Sequence, residues 1–190
     1  VTRGSIIYGN STPAWDELVI GAAGDVLGSD GTDAAWRKFR LASDGATAST
    51  SSTTDVTLKS ITVAGGNIGA NGMLVIKLMI KFNGTTNTKI WNVKLGATTF
   101  FTKTEAAATV HYFMVEVFIQ NKNAQNAQLS WMNVSYNNLA DGTADDGNIS
   151  RIWTSDAVDT SADATLAITG NVTNAADSID LLWWQAYVIK

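Results

Sequence analysis

From Asp55 onward, apolar and polar residues alternate in short runs separated by turn signals. Val56 to Val63 carries Val56, Leu58, Ile61 and Val63 as its apolar positions. Met73 to Phe82 lines up Leu74, Ile76, Leu78, Ile80 and Phe82 on one face and Lys77 and Lys81 on the other. That period of two is the mark of a strand. Lys89 to Leu95 sets Trp91, Val93 and Leu95 against Asn92 and Lys94, and Gly96 separates it from Thr98 to Thr102. Thr109 to Gln120 sets His111, Phe113, Val115, Val117 and Ile119 against Tyr112, Met114, Glu116 and Phe118. Further runs follow at Gln128 to Tyr136, Arg151 to Trp153, Thr165 to Val172 and Ile179 to Lys190. Asn71-Gly72 and Asn83-Gly84 are turn dipeptides between them.

About eight to ten short strands with no credible helix predict an all-β antiparallel sandwich or barrel. A jelly roll is the first expectation and an immunoglobulin-like sandwich the second. Met73 to Phe82, Thr109 to Gln120 and Ile179 to Lys190 are apolar on both faces. An antiparallel sheet usually wets one face, so a cover is expected. A homo-oligomer, expected as a trimer, would supply it.

The first 40 residues read differently. An apolar pair, Ile6-Ile7, leads through Tyr8 and Gly9 to Trp15; Gly28 leads through a second polar turn to Trp36. Between them runs Leu18-Val19-Ile20-Gly21-Ala22-Ala23-Gly24-Asp25-Val26-Leu27. It is too rich in glycine for a stable helix and too short to bury its own apolar residues. An extended arm over 1–40 is therefore expected, burying Tyr8, Trp15, Leu18, Ile20, Val26, Leu27 and Trp36 on a partner. Leu41 to Thr54 is a Ser/Thr/Ala/Gly run that reads as a flexible linker, which leaves 55–190 as the β-domain.

The order of aromatic-Gly turn, Leu18-x-Ile20-Gly21-x-x-Gly24-x-Val26-Leu27 and a second turn ending in Trp36 resembles the linking modules of bacteriophage tail-fibre and virion structural proteins. The resemblance covers about the first fifth of the chain. It implies a virion protein, assembled in the host cytoplasm, whose arm grips other virion proteins. The β-domain would then bind a host-surface glycan through loops at one end of the sandwich. A capsid decoration or head-fibre protein that covers or stabilises the shell is the alternative. A carbohydrate-binding module is the second alternative, since tryptophans can form platforms for sugar rings.

Composition narrows this reading. Of 190 residues, 16% are charged and 45% hydrophobic, so the chain folds. A net charge of -4 argues against a nucleic-acid partner. No apolar run is long enough to span a bilayer, and no secretory leader is expected. With no cysteine, thiolate sites and disulfides are excluded.

Candidate chemistry is sparse. His111, the one histidine, lies in an apolar alternation, and no nucleophile elbow accompanies it. The acids sit mainly in turns such as Asp30/Asp33 and Asp156/Asp159/Asp163; Glu116 and Asp180 fall on strands. Paired carboxylates facing one groove are not evident, so no enzyme activity and no cofactor are expected. Asp141, Asp145 and Asp146 alternate as calcium ligands do. Thr143, Asp146 and Ile152 break the EF-hand pattern, however, and a plain turn without metal is expected.

Overall fold

The computed structural model describes residues 1–12, 14–23, 25–29, 33–37, 40–106, 111–138 and 150–190. The chain divides into two compact units, Val1–Arg40 and Leu41–Lys190.

The first unit consists of two β-hairpins. β1 (Ile6–Gly9) pairs antiparallel with β2 (Trp15–Leu18), and β3 (Val26–Ser29) pairs with β4 (Ala34–Arg37). The expectation of an extended arm is corrected here. Each glycine-led turn folds its flanking residues back on themselves, so Gly9 faces Trp15 and Leu27 faces Trp36 across a ladder. The Asn10 side-chain carbonyl accepts the backbone N–H groups of Thr12 and Ala14 and closes the first turn locally.

The second unit is a two-sheet sandwich. Its strands are β5 (Arg40–Asp44), β6 (Ala48–Thr50), β7 (Val56–Val63), β8 (Met73–Asn83), β9 (Thr88–Leu95) and β10 (Thr98–Ala106). There follow β11 (His111–Asn121), β12 (Gln128–Asn138), β13 (Ser150–Asp156), β14 (Ala164–Val172) and β15 (Ser178–Ile189). One sheet has the order β10-β9-β14-β7; the other runs β13-β12-β11-β8-β15-β5, with β6 also on β15. The step from β7 to β8 crosses between sheets, and the step from β14 to β15 crosses beside it, β14 on β7 and β15 on β8. The last two strands thus insert between much earlier ones. This wrapped double ribbon makes the domain a jelly-roll-like antiparallel β-sandwich.

Leu41–Thr54 is not a linker. β5 and β6 both lie against β15, whose edge would otherwise offer unpaired backbone groups. Beyond β6, the amide of Val172 donates to the Ser52 carbonyl at 2.9 Å. Thr and Ser are as compatible with an edge strand as with a linker, and tertiary pairing decides between the two.

The core follows the alternation. Leu74, Ile76, Leu78, Ile80 and Phe82 point inward and join Trp91, Val93, Leu95, Phe113, Val115, Leu166 and Ile168 in one cluster. Phe82 and Phe113 meet at 4.9 Å with their rings tilted by 57°. Register shifts occur at Thr99/Phe101 and Leu181/Trp183. The first lets Phe100 and Phe101 both be buried.

Candidate functional site

The outer faces of the two sheets differ in chemistry. The four-stranded sheet carries a closed polar network outside. Asn92 donates to Thr169 Oγ1 at 3.2 Å and accepts from Thr102 at 2.8 Å, and Thr169 donates to Asp55 at 3.0 Å. Burial pushes Asp55 up, but hydrogen bonds from Lys94, Thr169 and Asn92 outweigh it and hold the carboxyl below its ordinary value.

The seven-stranded sheet carries apolar and aromatic rows beside polar ones outside. The three strands with two apolar faces, β11, β8 and β15, stand side by side in it, so their second faces merge. Opposite positions form rows across the sheet. One row is Trp131, Phe118, Val75 and Tyr187. Phe118 and Trp131 stack at 4.9 Å with 12° between their planes. Val75 faces outward yet is 0% exposed, because its large row neighbours close over it.

Toward one end lie the rows Asn133–Glu116–Lys77–Gln185 and Ser135–Met114–Met79–Trp183. Here the surface sinks into a hollow of about 220 Å³, lined by Lys77, Met114, Glu116, Asn133, Ser135 and Trp183. Lys77 Nζ lies 2.7 Å from Glu116 Oε1. That hydrogen bond raises the Lys77 ammonium above its ordinary range and keeps it charged. Asn133, Ser135 and Trp183 line the hollow without a side-chain hydrogen bond to another described residue. Toward the other end, the row Leu129–Gln120–Met73–Ile189 exposes Leu129 and Ile189.

The loops at that end are tied to one another. Asn121 donates to Gly69 O at 2.6 Å and to Thr160 Oγ1 at 2.7 Å, while Gln128 donates to Asn121 Oδ1 and accepts from the Val158 amide. A shallow recess of about 300 Å³ beside them is lined by Asn71, Gln120, Asn121, Lys122, Asn123 and Leu129.

The residues singled out in the first unit separate into two groups. Trp15 is 82% exposed, and Ile20, Val26 and Leu27 are also exposed. Tyr8 and Leu18 are half-buried on the first hairpin. Trp36 is half-buried in its own unit. Its indole N–H donates to the Val19 carbonyl at 2.7 Å, and its ring covers Gly21, where a β-carbon would lie 2.6 Å from Cγ. The pairing of Trp15 and Trp36 as equivalent partner anchors is therefore corrected: Trp36 finds a seat within the unit.

His111 is buried at the end of β11, its ring 6.1 Å from that of Phe113. Asp141, Asp145 and Asp146 lie outside the described residues. Among the described residues no cluster of three metal-ligating side chains occurs. In the second unit, Trp91 and Trp184 are buried in the core and Trp131 and Trp183 lie on the outer face. The bulge between Leu181 and Trp183 decides which of the adjacent pair faces out. The sequence alone carries no sign of it.

No protein-family model matches the chain, and no curated protein matches it in sequence. Among solved structures, it is similar to lectin I from Ulex europaeus in complex with the methyl glycoside of α-L-fucose. The identity is 8% and the TM-score 0.33, over 97% of this chain and 90% of the lectin. It is also similar to the infectious bursal disease virus Gx strain, at 10% identity and a TM-score of 0.24 over 86% of this chain and 46% of that one. A mutant VP2 protein of that virus, in derived T=1 particles, is 13% identical with a TM-score of 0.24, over 92% and 45% of the two chains. Likeness at this level places the chain in none of these families. The sandwich assignment rests on its own strand order and core.

Proposed function

We propose that the chain is a phage virion fibre or spike subunit, attached through residues 1–40 and displaying the sandwich for host-surface recognition. One observation carries this reading. Ten large hydrophobic residues are exposed among the described residues, and seven of them fall in the first unit: Val1, Ile7, Trp15, Val19, Ile20, Val26 and Leu27. So much exposed apolar surface on one small unit marks an interaction surface. Trp15 is the anchor and Ile20, Val26 and Leu27 extend its contact; Tyr8, Leu18 and Trp36 shape the hairpins that present them. Incorporation of the Trp15→Ala variant into particles, scored by immunoblot of purified virions, tests it. Loss of incorporation with the β-spectrum intact supports attachment, whereas wild-type incorporation overturns it. Labelled electron micrographs separate a tail position from the alternative of capsid decoration.

The homo-oligomer, proposed as a trimer, has its best contact in the Leu129–Gln120–Met73–Ile189 row. Stable interfaces bury about 1,200–2,000 Å². Sedimentation of a monomer at micromolar concentration would remove this part of the proposal. The carbohydrate-binding reading is favoured by a separate observation, the hollow that sets polar side chains beside Trp183.

A further inference from the structure

We infer that the hollow between Trp183 and the Lys77–Glu116 pair is a binding subsite for a single neutral pyranose ring. The inference deepens the host-recognition reading and moves recognition from the loops to the sheet face.

The chemistry of the lining is amphipathic in the way a sugar ring is. A pyranose presents C–H groups on one face and hydroxyls at its rim. Trp183 and Met114 supply apolar surface for the first. The rim hydroxyls each both donate and accept. Glu116 only accepts and Lys77 only donates, and the two stand 2.7 Å apart. That close pair suits two neighbouring hydroxyls, one donating to the carboxylate and one accepting from the ammonium. Asn133 can do both, and Ser135 can do both. Neither side chain is engaged with another described residue.

Size and charge narrow the ligand. A volume of about 220 Å³ lies below the range of about 300–1,000 Å³ of pockets for drug-sized ligands, which suits one ring and not an extended chain. Lys77 and Glu116 cancel in charge. Next along the same face, Lys81 stands over the Tyr112 ring at 5.9 Å and opposite Asp180 in register. Among the described side chains these charges balance, which favours a neutral hexose over a uronic or sialic acid; Arg151, which pairs with Asn133 in register, is the reason for the charged comparison below. At the loop end, Asn121 and Asn71, two of the polar side chains lining the recess, are already engaged with Gly69, Thr160, Gln128 and the Asn123 amide.

The test is a titration of the full chain with methyl glycosides of glucose, galactose, mannose and N-acetylglucosamine, with glucuronic acid as the charged comparison. Binding is read from the indole N–H signals in nuclear magnetic resonance spectra, with the Trp183 signal assigned from Trp183→Phe. Saturable movement of that signal by at least one neutral glycoside is expected. Asn133→Ala and Glu116→Gln should each weaken binding about tenfold with far-ultraviolet circular dichroism unchanged. No movement with any of the four glycosides overturns the subsite. So does movement that both variants leave unchanged. Tighter binding of glucuronic acid overturns the neutral class. Because the titration uses purified protein, a failure here with normal particle incorporation removes the subsite alone. Failed attachment with intact titration removes the virion reading alone.

Discussion

The Lys89 ammonium and the Asp177 carboxylate stand 3.7 Å apart with neither side chain exposed to solvent. Lys89 also donates to the carbonyls of Thr85 and Asn87, at 2.6 and 2.9 Å. Asp177 accepts the Thr85 backbone N–H at 2.6 Å. The pair thereby ties the β8–β9 turn to the β14–β15 turn. Gly84, at φ +120°, is pressed so close to Asp177 that a β-carbon would strike the carboxylate.

That pair gives a pH prediction. The Thr85 amide holds Asp177 below its ordinary value of 3.8, helped by the Thr85 hydroxyl and Lys89 and opposed by burial. A carboxylate depressed in the folded state stabilises the fold above its ordinary value, and that stability is lost as pH falls through the folded value. Asp177→Asn should lower the melting temperature at neutral pH and flatten the decline expected of the wild type below 3.8. Thermal unfolding followed by circular dichroism across that range checks both. An unchanged neutral melting temperature would show that the tie does not stabilise the sandwich.

Trp15 and Trp36 should behave oppositely. Trp15→Ala, at an exposed position, is expected to change stability by no more than about 0.5 kcal/mol. If Trp15 is an anchor, the loss in partner affinity is about 30- to 1,000-fold. Trp36→Ala removes the Val19 hydrogen bond, about 0.5–1.5 kcal/mol, together with the cover over Gly21. Amide exchange in β3 and β4 should quicken in Trp36→Ala and stay unchanged in Trp15→Ala.

Truncation separates the units. Residues 41–190 should fold cooperatively, since they hold their own core, β8 on one side of β15 and, but for Arg40, β5 and β6 on the other. Residues 55–190 lose β5 and β6 and bare the β15 edge. The shorter fragment should melt lower and aggregate sooner. Equal melting of the two fragments would mean that 41–54 adds nothing to the sandwich.

Core and face should differ sharply in cost. Trp91 is fully buried, and Trp91→Ala is expected to destabilise by about 3–5 kcal/mol. Met114 is 62% exposed, and Met114→Ala should cost no more than about 0.5 kcal/mol. Urea unfolding of both variants measures the contrast.

Most of the strands were legible because a strand buried on one side must alternate, as Leu74 to Phe82 and Phe113 to Ile119 do. The first 40 residues were harder. Their glycines and tryptophans marked turns, but only the closing of two hairpins showed that Trp36 caps Gly21 while Trp15 stays outside. The hollow was not legible at all. Lys77 and Glu116 meet through strand register, and Trp183 faces outward because of a bulge; neither leaves a local sign.

Local chemistry determined that this chain is all-β, where its turns fall, and which residues face inward on the unbroken strands, because side-chain alternation follows from the backbone of a single strand. Tertiary structure decided which strands are neighbours. It put β11, β8 and β15 side by side so that their second apolar faces fuse, and it recruited β5 and β6 from a segment of neutral composition. Neighbours across a sheet are chosen by long-range pairing and shared burial, which no window of sequence contains.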